Sequence, residues 1–147
     1  MIIGNTLFVF LRLPQPPESK ATLGRSWLES KLRKQFPTLK YVEFLDDAYN
    51  GITQTQLNDL LQLNYFKNQK YVADKYDCDN YSFSLKGLMS NIAPNVPFGI
   101  VHVDIDNDGK HSLNIFYDFE NSKFYYVEPQ SNKIFLASNY KPYMVII

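Results

Sequence analysis

Tyr76-Asp77-Cys78-Asp79-Asn80-Tyr81 opens the segment on which the reading of the whole chain depends, and it holds the only cysteine. Asp77 is a natural helix N-cap, and Tyr81, Leu85, Leu88 and Met89 fall at i, i+4, i+7 and i+8, one buried helical face. The spacing therefore predicts a helix with Cys78 in its first turn, bordering that face. A helix start has unpaired N–H groups and the positive end of the helix dipole, and both favour a thiolate. Asp77 and Asp79 act the other way, because nearby negative charge disfavours a second anion.

Before this helix, residues 2–13 read as a buried strand bounded by Gly4-Asn5 and by Pro14-Gln15-Pro16-Pro17, a loop by proline chemistry. Ser26 and Glu29 form a capping-box pattern at a first helix, with Trp27, Leu28, Leu32 and Phe36 as its stripe and Pro37 as its stop. Residues 41–45 read as loop or short strand, and Asn50-Gly51 as a turn. Thr53 leads residues 54–63 into a second helix that places Leu57, Leu60 and Leu61 on one side. After Pro97 the period changes to two. Strands are predicted at 98–105, 113–117, 124–127, 134–137 and 143–147, with Asn107-Asp108-Gly109 as a hairpin turn. Helices first and an antiparallel sheet second give an α+β domain spanning residues 1–147.

The chain has 147 residues, with 15 basic and 15 acidic side chains. A zero formal net charge argues against nucleic-acid or anionic-membrane partners, which need a basic face. A single cysteine makes no internal disulfide, and the apolar run Leu7-Phe8-Val9-Phe10-Leu11 is too short to span a bilayer and lacks signal-peptide flanks. The expected location is cytoplasmic.

His111 follows the hairpin turn and begins a strand, so it is placed to stand over a neighbouring helix end. Its plain alternative is a surface histidine. His102 competes with it but sits in Gly99-Ile100-Val101-His102-Val103, where alternation assigns it to the solvent face. Glu128 ends a strand, stiffened by Pro129. A lone cysteine is commonly a small buried hydrophobe, and a strand-end glutamate is commonly just solvated. Cysteine, then histidine, then carboxylate is nevertheless the order of a thiol, a base and an orienting group.

Together Tyr-Asp-Cys-Asp-Asn-Tyr (76–81), His-Ser-Leu-Asn-Ile-Phe (111–116) and Val-Glu-Pro-Gln (127–130) resemble the papain-like cysteine protease domain of the Marasmius oreades agglutinin and its stand-alone relatives. The resemblance covers roughly residues 71–132. It implies a papain-like fold, with N-terminal helices packed on a C-terminal antiparallel sheet. It also implies a cysteine peptidase or amidase in which Cys78 is the nucleophile, His111 the base and acid, and Glu128 the orienting carboxylate, acting on a peptide or protein substrate through an acyl-enzyme. The backbone N–H of Cys78 would form part of an oxyanion hole, with Gln130 or Asn80 as the side-chain amide. The chain has no room for a sugar-binding trefoil, so lectin activity is not implied. The alternative reading is a non-catalytic papain-like binding or inhibitor module.

Asp104, Asp106 and Asp108, followed by Gly109, imitate the first half of a calcium loop, but Ile115 stands where the bidentate glutamate belongs. The plain reading is a polar hairpin turn. No cofactor is required, and calcium, which activates the fungal family member, is the one the sequence leaves open.

Overall fold

Phe98–Ile105 and its return Gly109–Asp118 carry apolar side chains on both faces, and strands of that kind must be covered on both. In the computed structural model, which describes residues 15–106 and 109–147, these two strands form the middle of a six-stranded sheet. The described elements are β1 (Ala21–Gly24), α1 (Arg25–Gln35), β2 (Tyr41–Glu43), β3 (Ala48–Gly51), α2 (Gln54–Leu61), a 3-10 turn at Phe66–Asn68, α3 (Cys78–Ile92), β4 (Phe98–Ile105), β5 (Gly109–Asp118), β6 (Lys123–Glu128), β7 (Lys133–Phe135) and β8 (Tyr140–Ile146). The large sheet has the order β2-β8-β4-β5-β6-β7, and β1 with β3 makes a separate ribbon. Among the described strands β2 alone runs parallel to its neighbour, β8.

Two cores lie on opposite faces of this sheet. One joins Leu28 and Leu32 of α1, with Leu23 and Tyr49 of the ribbon, to Val101, Val103, Leu113, Ile115, Tyr117 and Val145. The other joins Leu57, Leu60 and Leu61 of α2 and Leu85, Met89 and Ile92 of α3 to Phe98, Phe116 and Val127. This corrects the expected α+β, papain-like arrangement of N-terminal helices laid on a purely antiparallel sheet. Helices flank both faces, three strands come from the N-terminal half, and the sheet is mixed. The physical reason is the two-sided apolar character of β4 and β5, which one helical layer cannot cover.

The second helix starts as the sequence predicts. Thr53 Oγ1 accepts from the Gln56 N–H at 3.3 Å while Gln56 Oε1 accepts from the Thr53 N–H at 2.9 Å. It ends at Leu61, two residues early. The Ser26/Glu29 box does not form. Gly24 occupies the N-cap of α1 with no side-chain cap, and Glu29 instead accepts from Arg33 Nε at 2.8 Å. At the other end of α1, Gln35 clamps the open edge of β6, exchanging both amide bonds with the Phe124 backbone at 2.7 and 2.8 Å. Asn50-Gly51, expected as a turn, ends strand β3. The expected strand at 2–13 and the turn residues Asn107 and Asp108 lie outside the described residues. No helix among the described residues is long and apolar enough to cross a membrane.

Gly99 sits where β4 and β8 meet most closely. A Cβ there would fall well inside contact distance of the Ile146 carbonyl oxygen and 2.7 Å from the Ile147 side chain. Because the obstacle includes backbone, it cannot rotate away. Gly99→Ala should therefore cost about 3 kcal/mol, the upper end of ordinary overpacking, read as a lower urea midpoint with an unchanged slope.

Candidate functional site

The start of α3 is built by short polar side chains. Asp77 is its N-cap in an extended conformation, and its N–H donates to Asn80 Oδ1 at 3.1 Å. Asp77 Oδ2 accepts from the N–H of Asp74, and Asp79 Oδ1 accepts from the Asn80 N–H at 2.7 Å. Asp74 has φ of 59°, the left-handed region that aspartate tolerates better than most residues. It lies in a tight turn closed by the Tyr76 N–H bond to the Val72 carbonyl at 2.8 Å. A proton shared between the neighbouring Asp77 and Asp79 carboxyl groups holds Asp77 below and pushes Asp79 above the usual carboxylate value. Cys78 is thereby fixed as the first residue of the helix, half-buried.

A polar bridge ties this helix start to the sheet. Ser82 Oγ lies 2.8 Å from Ser112 Oγ, and Asn114 Nδ2 donates to Ser82 O at 2.9 Å and to Gly99 O at 3.0 Å. The result is a cleft of about 250 Å³, with Asp77, Cys78 and Asp79 on the helix side and His102, Lys110, His111, Ser112 and Tyr143 on the sheet side. The structure thus brings Cys78 and His111 to one cleft. Behind His111, its Nε2 lies 3.0 Å from Glu128 Oε2, while Glu128 Oε1 accepts from the Gln130 N–H at 3.3 Å. The turn beyond Glu128 is held to α2 by Asn64, which donates to Pro129 O at 2.8 Å, and by Asn132, which donates to Leu61 O at 2.7 Å. Among the described residues no hydrogen bond joins the Cys78 thiol to either imidazole.

Other expected site residues are placed differently. Asn80 commits its oxygen to the helix start, and Gln130 serves Glu128 through its backbone; neither lines the cleft. His102 is half-buried. It stands opposite Ser112 and Met144, stacks on Tyr143 with 6.2 Å between ring centroids, and lines the cleft across from the start of α3. Lys110, whose ammonium lies 5.1 Å over the Tyr143 ring, and Tyr143 itself were not anticipated from the sequence. Asp104 is exposed and Asp106 is paired with Lys141, while Asp108 lies outside the described residues. No group of three or more His, Cys, Asp or Glu among the described residues is placed to hold a metal.

The chain matches a family model described as the ricin-type beta-trefoil lectin C-terminal domain over residues 26–147. No curated protein matches the sequence. Solved structures to which it is similar include the following two. One, "PSL1a-E64 complex", has a TM-score of 0.75 at 20% identity over 86% of this chain and 50% of that one. The other, Polyporus squamosus lectin bound to the human-type influenza-binding epitope Neu5Aca2-6Galb1-4GlcNAc, has a TM-score of 0.71 at 19% identity over 86% of this chain and 49% of that one. The chain spans about half the length of the structures it resembles.

These findings overturn the cysteine-hydrolase reading. The matched family is a lectin's domain, and a lectin shares the fold, so neither a peptidase or amidase activity nor a peptide substrate is supported. The order Cys78, His111, Glu128 identified side chains that converge on one region; it did not identify what they do.

The cleft titrates in a defined direction. Burial holds the His102 imidazolium below its ordinary value of 6.5, with the charge of Asp79 only partly offsetting it. The fold therefore favours the neutral ring, and the unfolded chain takes up the proton first. This contribution is fully present above about pH 6.5 and is lost as pH falls through the lower folded value. Between about pH 7 and pH 5, the decline in unfolding free energy should be shallower in His102→Gln than in the parent, as read by denaturant titration at each pH.

Proposed function

We propose, since this chain belongs to the family of the ricin-type beta-trefoil lectin C-terminal domain, that it is a non-catalytic binding module and that the cleft at the start of α3 takes a carbohydrate. The observation carrying this reading is the composition of the cleft: two carboxylates, a hydroxyl, an ammonium and two imidazoles beside the aromatic face of Tyr143. A saccharide ring presents hydroxyl donors and acceptors around its edge and a less polar face. Convergent polar groups beside an aromatic surface complement both.

Cys78, His111 and Glu128 take positioning roles in this proposal. Glu128 fixes the His111 ring, so less side-chain freedom is lost when a ligand hydrogen-bonds to it. Cys78 contributes half-buried wall at the helix start. The bridge from Asn114 and Ser82 keeps the two sides of the cleft in register before any ligand arrives.

The trisaccharide named with the Polyporus squamosus lectin supplies the probe. Titrating it into labelled protein should move the amide resonances of Cys78, His102, Lys110 and Tyr143. Tyr143→Ala should weaken trisaccharide binding about tenfold, the scale of one lost aromatic contact. Saturable binding that leaves these amides unmoved, or no binding across a broad panel of glycans by folded protein, would overturn the reading.

A further inference from the structure

We propose that a second pocket, at the far end of α3, binds a small aliphatic carboxylate through Lys86. Lys86 lies eight residues beyond Cys78, about 12 Å along the helix, so this pocket is separate from the cleft. Its cavity is about 150 Å³; Leu45, Met89, Ala93, Val96 and Phe98 form an apolar wall, and Asp46, Ser90 and Asn95 bring polar groups to the rest. That space admits a short acid.

The cation in this pocket is incompletely satisfied. Lys86 Nζ donates to the Phe98 carbonyl at 2.7 Å, but an ammonium carries three donors. Among the described residues no carboxylate lies within ion-pair distance of it. Burial holds Lys86 below the ordinary lysine value, and the charge of Asp46 offsets this only in part. Asp46 lines the pocket but is exposed, so water screens its charge. A half-buried cation beside a cavity with one apolar wall is complemented by an anion that brings one negative charge and a short hydrocarbon tail. A single lysine suits a monoanion. The apolar wall then favours a methyl-ended tail over further polar groups.

Sodium butyrate is the probe, with butyramide as its uncharged equivalent, followed by the amide resonances of the labelled chain. Butyrate should shift Met89, Val96 and Phe98 saturably, and butyramide should bind at least about tenfold more weakly, the scale of a charge-assisted bond. Affinity should rise about fourfold per methylene from acetate through propionate to butyrate. Lys86→Met, which keeps the bulk and removes a poorly solvated charge, should stay folded and lose butyrate binding. Asp46→Asn should tighten it. The proposal is overturned by equal binding of butyrate and butyramide, by unchanged butyrate affinity in folded Lys86→Met, by shifts confined to the cleft around Cys78, or by no saturable shift at the highest soluble concentration.

Discussion

The arrangement of the site depends on one side-chain amide. Asn114 is fully buried, and its Nδ2 reaches across the helix–sheet boundary to the carbonyls of Ser82 and Gly99. Ser82 belongs to the second turn of α3, and its carbonyl would ordinarily bond only along the helix. The additional bond to the sheet fixes how far along β5 the helix begins. The Ser82–Ser112 contact repeats the constraint two residues earlier on β5. Among the described residues Asn114 Oδ1, also buried, has no hydrogen-bond partner.

How much of this was legible varies with how local the controlling physics is. The start of α3 was readable because Asp77, Asn80 and the Tyr81-Leu85-Met89 face act within one helix. The Thr53 cap was readable for the same reason. The Ser26/Glu29 pattern misled because β1 runs directly into α1, so the chain turns at Gly24 before Ser26 can serve as a cap. The Asn50-Gly51 turn signal lost to pairing with β1, in which Gly51 stands opposite Ala21. The short strands β1 and β3 take their stability from pairing with each other across the first helix, and a local pattern carries no trace of that.

His102 shows the same limit at the site. Alternation says which face a residue shares but not what covers that face. The continuous apolar run around His102 held the missing information, since a strand apolar on both sides leaves no fully solvated face for a histidine. Lys110 and Tyr143 left no comparable signal, because they meet only when β8 is laid beside β4. The class of function was further still from the residues. A thiol, an imidazole and a carboxylate in one region satisfy the geometry of several chemistries, and composition alone does not choose among them.

The pairing of β2 with β8 sets an order of events on the chain as it is made. Tyr41 stands beside Met144, about a hundred residues away in sequence, and that edge is part of the same sheet that carries the cleft. Local elements such as α3 and the β4–β5 hairpin can form during synthesis, but this edge must wait for β8 to leave the ribosome. Until then Val101 and Val103 lack the neighbour that β8 provides, and β4 presents an unpaired apolar border. The nascent chain therefore exposes that border from the completion of β4 until β8 follows, about forty residues later.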